Sequence, residues 1–205
     1  MMTMSERNEM LDALEYILSC GLMEAYKEQR SMSNWAYGSL RGYDYESGAT
    51  KCVLIPWDLD WVIKFNYPGE KNDYCSREYE NYVAAEEAGY AKYFAEVVYL
   101  YEVDGLAFYA QRKVVCEEYE ADSRLYDSLR RSYEEDGRFV DEDTLWNEVE
   151  DLEAADRVTI LYDDFDFGNF IMERRINDLH SANFGIYNDD IVIIDFSGFG
   201  CQVFG

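Results

Sequence analysis

The sequence predicts an α+β fold with two lobes, because strand-like segments concentrate in its first half and helix-like segments in its second. Residues 117–175 are very acidic and are expected to be mostly helical. Three early segments rich in β-branched and aromatic residues are expected to be strands: 35–37, 51–55 and 61–65. We therefore expect an N-terminal lobe over residues 1–112, built on an antiparallel sheet. A reduced, mostly helical C-terminal lobe would occupy residues 113–205.

Two helices and two further strands complete this expectation. Apolar residues recur every three or four positions over residues 6–29, a spacing that predicts a helix interrupted only at Gly21. Residues 76–95 predict the main helix of the N-terminal lobe, with Ser76 as its N-cap. The further strands are 106–110, running on through Val114 and Val115, and 191–194.

The composition indicates a folded protein with a strongly acidic surface. Apolar residues make up 48% of the chain and aromatic residues 17%, which excludes a disordered chain. The formal net charge of −25 disfavours direct binding to nucleic acid or anionic lipid, since both are anionic. The charge fits either simple solubility or a basic protein partner, and the sequence leaves both open.

Cysteine usage and hydropathy predict a cytoplasmic protein. The five cysteines are dispersed, odd in number and without C-x-x-C spacing, and the chain has one histidine. This pattern argues against a structural zinc site and indicates free thiols in a reducing compartment. The first ten residues are too polar for a signal peptide, and no apolar run approaches the ~18 residues that can span a bilayer.

The most informative stretch lies near the C-terminus. Asp178 and Asn183 are five residues apart in an expected loop, and Asp195 follows the strand 191–194 directly. A carboxylate can accept the proton of an acceptor hydroxyl, while an amide oxygen and a second carboxylate can hold Mg²⁺ on phosphates. An ordinary polar turn would use the same residue types, so the order and the apolar flanks carry the signal. We expect His180 to have a structural role or to contact phosphate.

A lysine near the end of the third expected strand adds a second signal. Such a lysine commonly extends its amine towards solvent, but here Lys64 is followed by a helix that carries Glu78 and Glu80 as possible partners. We prefer Glu78, because Tyr82 lies four residues further along the same helix face, where packing against the sheet is expected.

Together these residues resemble the core set of the protein-kinase-like superfamily, over the stretch from about Trp35 to Phe199. The loop D-L-H-S-A-N-F-G at residues 178–185 is similar to that of small bacterial and phage kinase-like proteins and aminoglycoside-type kinases. The resemblance implies a bilobal kinase-like fold that uses ATP and Mg²⁺. The roles it implies are Asp178 as catalytic base, Lys64 as phosphate contact held by Glu78, Asn183 and Asp195 as metal ligands, and Val114, within a hinge at 111–114, as a backbone contact to adenine.

The chain also departs from the kinase pattern. No G-x-G-x-x-G precedes Lys64, so weaker phosphate coverage is expected; Gly38, Gly42 and Gly48 are irregularly spaced. Ser197 replaces the glycine that usually follows Asp-Phe, and Gly198 and Gly200 are expected to restore backbone freedom. Only ten residues follow Asp195, so we expect no activation segment and no platform for a peptide substrate.

A second D-F-G sequence, at residues 166–168, is a decoy. It precedes the Asp178 loop, and no β-branched strand leads into it. We interpret Asp163, Asp164 and Asp166 as part of an acidic helix or its flanking turn, with a separate cation site as the alternative.

Three functions remain open from the sequence. The first is a Mg-ATP-dependent phosphotransferase with a small or otherwise non-peptide acceptor, or a nucleotidyl transferase that uses the same metal site. The second is a catalytically weak or inactive kinase-like (pseudokinase) module that binds a basic partner through its acidic surface. The third is a nucleic-acid mimic, which would need none of the ordered motifs.

Overall fold

The computed structural model of the protein describes residues 1–116 and 119–197, so Gly198 and Gly200 lie outside the described residues. The chain divides into two compact units. Unit 1 contains Met1–Glu87 and Ala95–Lys113, and unit 2 contains Ala88–Phe94 and the chain from Val114 onwards. Unit 1 holds an antiparallel sheet and unit 2 is mainly helical, which confirms the predicted α+β class. No helix in the described ranges is long and apolar enough to cross a membrane.

The sheet of unit 1 has five strands in the order β1-β2-β3-β5-β4, and all neighbours are antiparallel. The predicted strands at 51–55, 61–65 and 106–110 are confirmed as β2, β3 and β5. β5 ends at Arg112, so its predicted continuation through Val114 is wrong. The strands are β1 Tyr43–Ser47, β2 Lys51–Pro56, β3 Trp61–Asn66, β4 Val97–Val103 and β5 Leu106–Arg112.

The predicted helix over residues 6–29 is two helices, because Gly21 adopts a left-handed conformation with φ +83°. The predicted strand at 35–37 is wrong. Those residues lie in α3, whose first turn is capped by the Ser31 hydroxyl, and Trp35 is buried with its indole N–H donating to the Cys20 carbonyl at 3.1 Å. Capping and core packing override the β propensity of Trp and Tyr. The bounds are α1 Met4–Ser19, α2 Leu22–Lys27 and α3 Met32–Ser39.

The main helix, α4, spans Tyr74–Ala88 rather than 76–95. Ser76 is not its N-cap, since the Asp73 carboxylate accepts the Ser76 backbone N–H at 2.9 Å. The helix stops before Gly89, which has φ +83°, and a short 3₁₀ turn follows at Ala91–Tyr93.

The two faces of the sheet have different surroundings. Alternate residues of β2, β3 and β5 enter one hydrophobic core together with buried residues of α1, α2 and α3, among them Met10, Ile17, Leu22 and Met32. The residues of β2, β3 and β5 in that core are Cys52, Leu54, Trp61, Ile63, Phe65, Leu106, Phe108 and Ala110. The intervening residues therefore face the other side, where α4 supplies the partner of Lys64.

In its described residues, unit 2 combines four α-helices with a two-stranded hairpin. The prediction that residues 117–175 are mostly helical is confirmed within the described part. Phe167 is fully buried, and its ring lies 4.5 to 5.6 Å from the rings of Tyr90, Tyr93, Phe94 and Tyr162. The elements are α5 Glu120–Glu135, α6 Glu142–Asp151, α7 Ala154–Tyr162, α8 Phe165–Glu173, β6 Phe184–Tyr187 and β7 Asp190–Ile193.

The second D-F-G sequence lies in α8 and serves helix packing. The Asp164 carboxylate caps this helix by accepting the Phe167 N–H at 2.9 Å. A Cβ on Gly168 would lie 2.2 Å from the Thr159 hydroxyl oxygen, so glycine is needed where α8 contacts α7. The interpretation of Asp163, Asp164 and Asp166 as a helix and its flanking turn is confirmed. In the described ranges, no group of three or more His, Cys, Asp or Glu side chains could hold a metal ion.

Candidate functional site

The structure brings Lys64 and Glu78 together in a buried ion pair. Strand β3 alternates, so Trp61, Ile63 and Phe65 enter the core and Lys64 faces the side of α4. The Lys64 Nζ lies 3.0 Å from Glu78 Oε1 and 3.2 Å from Oε2. Glu78 is only 1% exposed and Lys64 6%, so solvent screens this pair little.

Two further polar side chains converge on the same carboxylate. Lys51 Nζ lies 3.3 Å from Glu78 Oε2, and the amide nitrogen of Gln111 lies 3.4 Å from Oε1. Lys51 and Gln111 are each 3% exposed. We call Lys51, Lys64, Glu78 and Gln111 the lysine cluster; its members come from β2, β3, α4 and β5.

Sequence reasoning missed Lys51. In the β2–β3 ladder Val53 pairs with Lys64, so Lys51 lies on the same face, one diagonal step away. The sequence signal for Lys51 is the alternation along β2, in which Lys51 and Val53 alternate with the apolar core residues Cys52 and Leu54. Using that signal requires the register of the hairpin, which the sequence does not show.

A small network at the start of α4 positions Glu78 relative to β3. The Asn66 side chain, at the end of β3, donates to the Asp73 carboxylate at 2.8 Å and accepts the Cys75 N–H at 3.1 Å. Burial raises the pKa of the Cys75 thiol, so this side chain stays neutral. Glu80, the other sequence candidate, is exposed and accepts from the Ser76 hydroxyl at 3.5 Å, so Glu78 is the residue that pairs with Lys64.

In unit 2, the loop before β6 brings Asp178 and Asn183 together. The Asn183 amide nitrogen donates to the Asp178 carbonyl oxygen, which turns the amide oxygen away from that carbonyl. Asn183 is 8% exposed, whereas the Asp178 side chain is 36% exposed. His180 Nε2 lies 4.0 Å from Asp178 Oδ1, and the His180 side chain is 57% exposed.

The β6–β7 hairpin explains how Asp195 comes near Asn183. Phe184 pairs with Ile193, and the Ile194 N–H donates to the Asn183 carbonyl at 2.9 Å. Asp195 therefore follows at the open end of the hairpin, one residue beyond the position opposite Asn183. Phe196 is fully buried with its ring 4.7 Å from that of Phe94, and the Ser197 hydroxyl donates to Asp195 Oδ1 at 3.3 Å. These contacts fix the chain on both sides of the carboxylate.

Val114 lies in the segment that pairs with β6. The neighbouring Val115 exchanges two backbone hydrogen bonds with Ile186, at 3.0 and 2.7 Å. A Cβ on Gly185 would lie 2.4 Å from Val114 Cγ2 and 3.2 Å from the Val115 carbonyl oxygen. Only glycine therefore fits at this position of β6, where the segment containing Val114 and Val115 lies close to the strand. The contact of Val114 with adenine remains a prediction.

The donor set of unit 2 fits Mg²⁺ if phosphates supply the remaining ligands. Mg²⁺ prefers oxygen ligands and is commonly bound by one or two protein side chains together with substrate phosphates. Asn183 would contribute an amide oxygen and Asp195 a carboxylate, and the hairpin brings their backbones close together, since the Ile194 N–H donates to the Asn183 carbonyl. In unit 1, the ammonium groups of the lysine cluster fit phosphate oxygens.

Comparisons with known proteins add little to this picture. No protein-family model matches the chain, and no curated protein matches it. Among solved structures, it is similar to a chain in the ternary complex of APH(2″)-IIa with streptomycin and ATP, at 13% identity and a TM-score of 0.34. The match covers 77% of this chain but spans 66% of that chain, just under two thirds of its length. A similarity this weak carries no conclusion about function.

Proposed function

We propose that this protein is a Mg-ATP-dependent phosphotransferase of the protein-kinase-like superfamily with a small or otherwise non-peptide acceptor. The observation that carries the proposal is the buried Lys64–Glu78 ion pair, formed by the third strand of an antiparallel sheet and the helix that follows it. In protein kinases a lysine on the third strand and a glutamate on the next helix form the pair that must be in place for activity.

The lysine cluster supports a role in binding phosphates. Lys64 would contact the phosphates of ATP while Glu78 holds its amine in position, because an ammonium that is already oriented loses little freedom on binding. Val114 would contact adenine through its backbone. Mg-ATP supplies the phosphoryl group when it is bound.

Asn183 and Asp195 would hold Mg²⁺. Their closeness along the backbone at the open end of the β6–β7 hairpin supports this role, as does the hydrogen bond that directs the Asn183 amide oxygen away from the Asp178 carbonyl. The Ser197 hydroxyl orients the Asp195 carboxylate.

Asp178 would orient the acceptor hydroxyl and take its proton. Its partly exposed carboxylate can reach an incoming molecule, while its backbone carbonyl is tied to the Asn183 side chain. A positioned base of this kind contributes roughly 10²- to 10⁴-fold to a rate.

The test is slow turnover of ATP by the purified protein, followed by ³¹P NMR. We expect γ-phosphate release, or transfer to an added hydroxyl compound, to fall at least ~100-fold in Asp178→Asn. Asp190→Asn, an exposed position on β7, is the matched control and should leave turnover unchanged. Unchanged turnover in Asp178→Asn would contradict the proposal. Release of pyrophosphate would instead identify nucleotidyl transfer at the same metal site.

A further inference from the structure

We infer that Lys51 is a second phosphate-contacting residue of the nucleotide site, and that it supplies positive charge which a glycine-rich loop would otherwise supply through backbone N–H groups. The inference depends on the proposed function, because it assigns Lys51 to the same ligand. It starts from the observation that two lysines on neighbouring strands contact one buried carboxylate.

The geometry puts the two amines in equivalent positions. Lys51 and Lys64 each lie within hydrogen-bond distance of the same atom, Glu78 Oε2, at 3.3 and 3.2 Å. A phosphate that reaches the amine of Lys64 therefore comes close to that of Lys51. An ammonium group has three N–H donors, so a contact with Glu78 does not prevent another with a phosphate oxygen.

The charge of the cluster points the same way. Glu78 carries one negative charge and is contacted by two ammonium groups, while Gln111 is neutral. Bringing a second ammonium into a buried position is costly, and an apolar side chain of similar length would pack there at lower cost. Two lysine amines side by side at one carboxylate suit contact with an anionic ligand.

The turn that precedes Lys51 supplies the reason for this arrangement. Only residues 48–50 separate β1 from β2, and the Gly48 N–H donates to the Lys51 carbonyl at 3.2 Å. A connection this short and internally bonded cannot form the glycine-rich loop that covers phosphates in protein kinases. Lys51 begins the strand directly after this turn, where it can provide charge from a side chain instead.

The experiment compares the affinities of ATP and adenosine in the full chain by calorimetry, with Mg²⁺ present. Lys51→Met should weaken ATP binding by about tenfold to a hundredfold, the effect of losing a charged hydrogen bond, and leave adenosine affinity unchanged. Lys51→Arg, which keeps the charge, should bind ATP more tightly than Lys51→Met. Lys71→Met makes the same substitution at an exposed lysine of unit 1 and should bind both ligands like the unsubstituted protein.

The outcomes separate this inference from the proposed function. The inference fails, and the proposed function stands, if the unsubstituted protein binds ATP and the Lys51→Met variant binds it equally well. The same holds if the Lys51→Met variant loses affinity for ATP and for adenosine to the same extent. If the unsubstituted protein binds neither ligand, both fail.

A second measurement does not depend on whether the variant folds. An acyl-phosphate derivative of ATP transfers its acyl group to lysine amines that lie beside the phosphates, and mass spectrometry locates the modified residues. We expect acylation of Lys51 and Lys64, prevented by excess ATP, and none above background at Lys71. Labelling of Lys64 without Lys51 would overturn the inference.

Discussion

The two groups of candidate residues are held in different ways. The lysine cluster is built from side chains of three strands and a helix, all of them at most 6% exposed. The Asp178 side chain, by contrast, is 36% exposed on a loop, and Asp195 lies between the β6–β7 hairpin and the buried Phe196. Substitutions in the cluster should therefore change stability and binding together. Substitutions of the unit 2 carboxylates should change binding or catalysis with little change in stability.

The largest effect is expected at the centre of the lysine cluster. Glu78→Gln removes the carboxylate that two buried lysines contact, and breaking a buried ion pair in this way costs about 3–5 kcal/mol in the free energy of unfolding. Urea denaturation measures the loss. Glu80→Gln, two residues away and exposed, should stay within about 0.5 kcal/mol of the unsubstituted protein. Equal stability of Glu78→Gln and Glu80→Gln would contradict a stabilising role for the lysine cluster.

The opposite pattern is expected for Asp195→Asn. Its stability without ligand should stay close to that of the unsubstituted protein, because Asn keeps the shape of Asp and an oxygen that can still accept the Ser197 hydroxyl. Mg-ATP at a hundredfold its Kd stabilises a binding protein by about 2.7 kcal/mol, or roughly 5–10 °C in Tm at this length. A thermal-shift assay should show that gain in the unsubstituted protein and in Asp190→Asn, but not in Asp195→Asn. A full shift in Asp195→Asn would contradict its role as a metal ligand.

Tight packing at Gly185 in unit 2 sharpens the comparison. Gly185→Ala would place a Cβ 2.4 Å from Val114 Cγ2, so the β6 strand or Val114 must shift, at a cost of about 1–3 kcal/mol. Gly48→Ala is the control, since a Cβ there meets nothing within 4 Å. The two variants are compared by urea denaturation. Equal stabilities would show that the approach of Val114 to β6 is looser than described.

The smallest effect concerns acid stability and the Glu6 carboxylate. The Glu6 carboxylate accepts hydrogen bonds from the backbone N–H and the hydroxyl of Thr3, the indole N–H of Trp61 and the guanidinium group of Arg112. These hydrogen bonds lower the pKa of Glu6 from 4.5 to about 2. A lowered pKa in the folded state stabilises the protein above pH 4.5, and that contribution is lost as the pH falls from 4.5 towards 2. Glu6→Gln should lower Tm at neutral pH, and the difference should vanish near pH 2. A difference independent of pH would contradict this account; Glu9→Gln, on the same helix, is the control.

Features that depend on local sequence could be predicted, and features that depend on register could not. The strands 51–55 and 61–65 have β-branched runs that no competing signal disturbs, and both are confirmed, whereas the roles of Asp178, Asn183 and Asp195 stay predictions. Residues 35–37 were predicted as a strand from their aromatic side chains, but the Ser31 cap and the burial of Trp35 make them a helix. Lys51 was missed because its proximity to Glu78 is set by strand pairing and by the Asn66–Asp73 network, which sequence spacing does not reveal.

The most direct test of the central claim is calorimetric binding of ATP with and without Mg²⁺. The account predicts saturable binding that is weaker when Mg²⁺ is removed, and that is lost or strongly reduced in both Lys64→Met and Asp195→Asn. Absence of binding at millimolar Mg-ATP, or binding unaffected by these two substitutions, would contradict a nucleotide site at these residues. A binding module for a basic partner would then become the leading hypothesis for this chain.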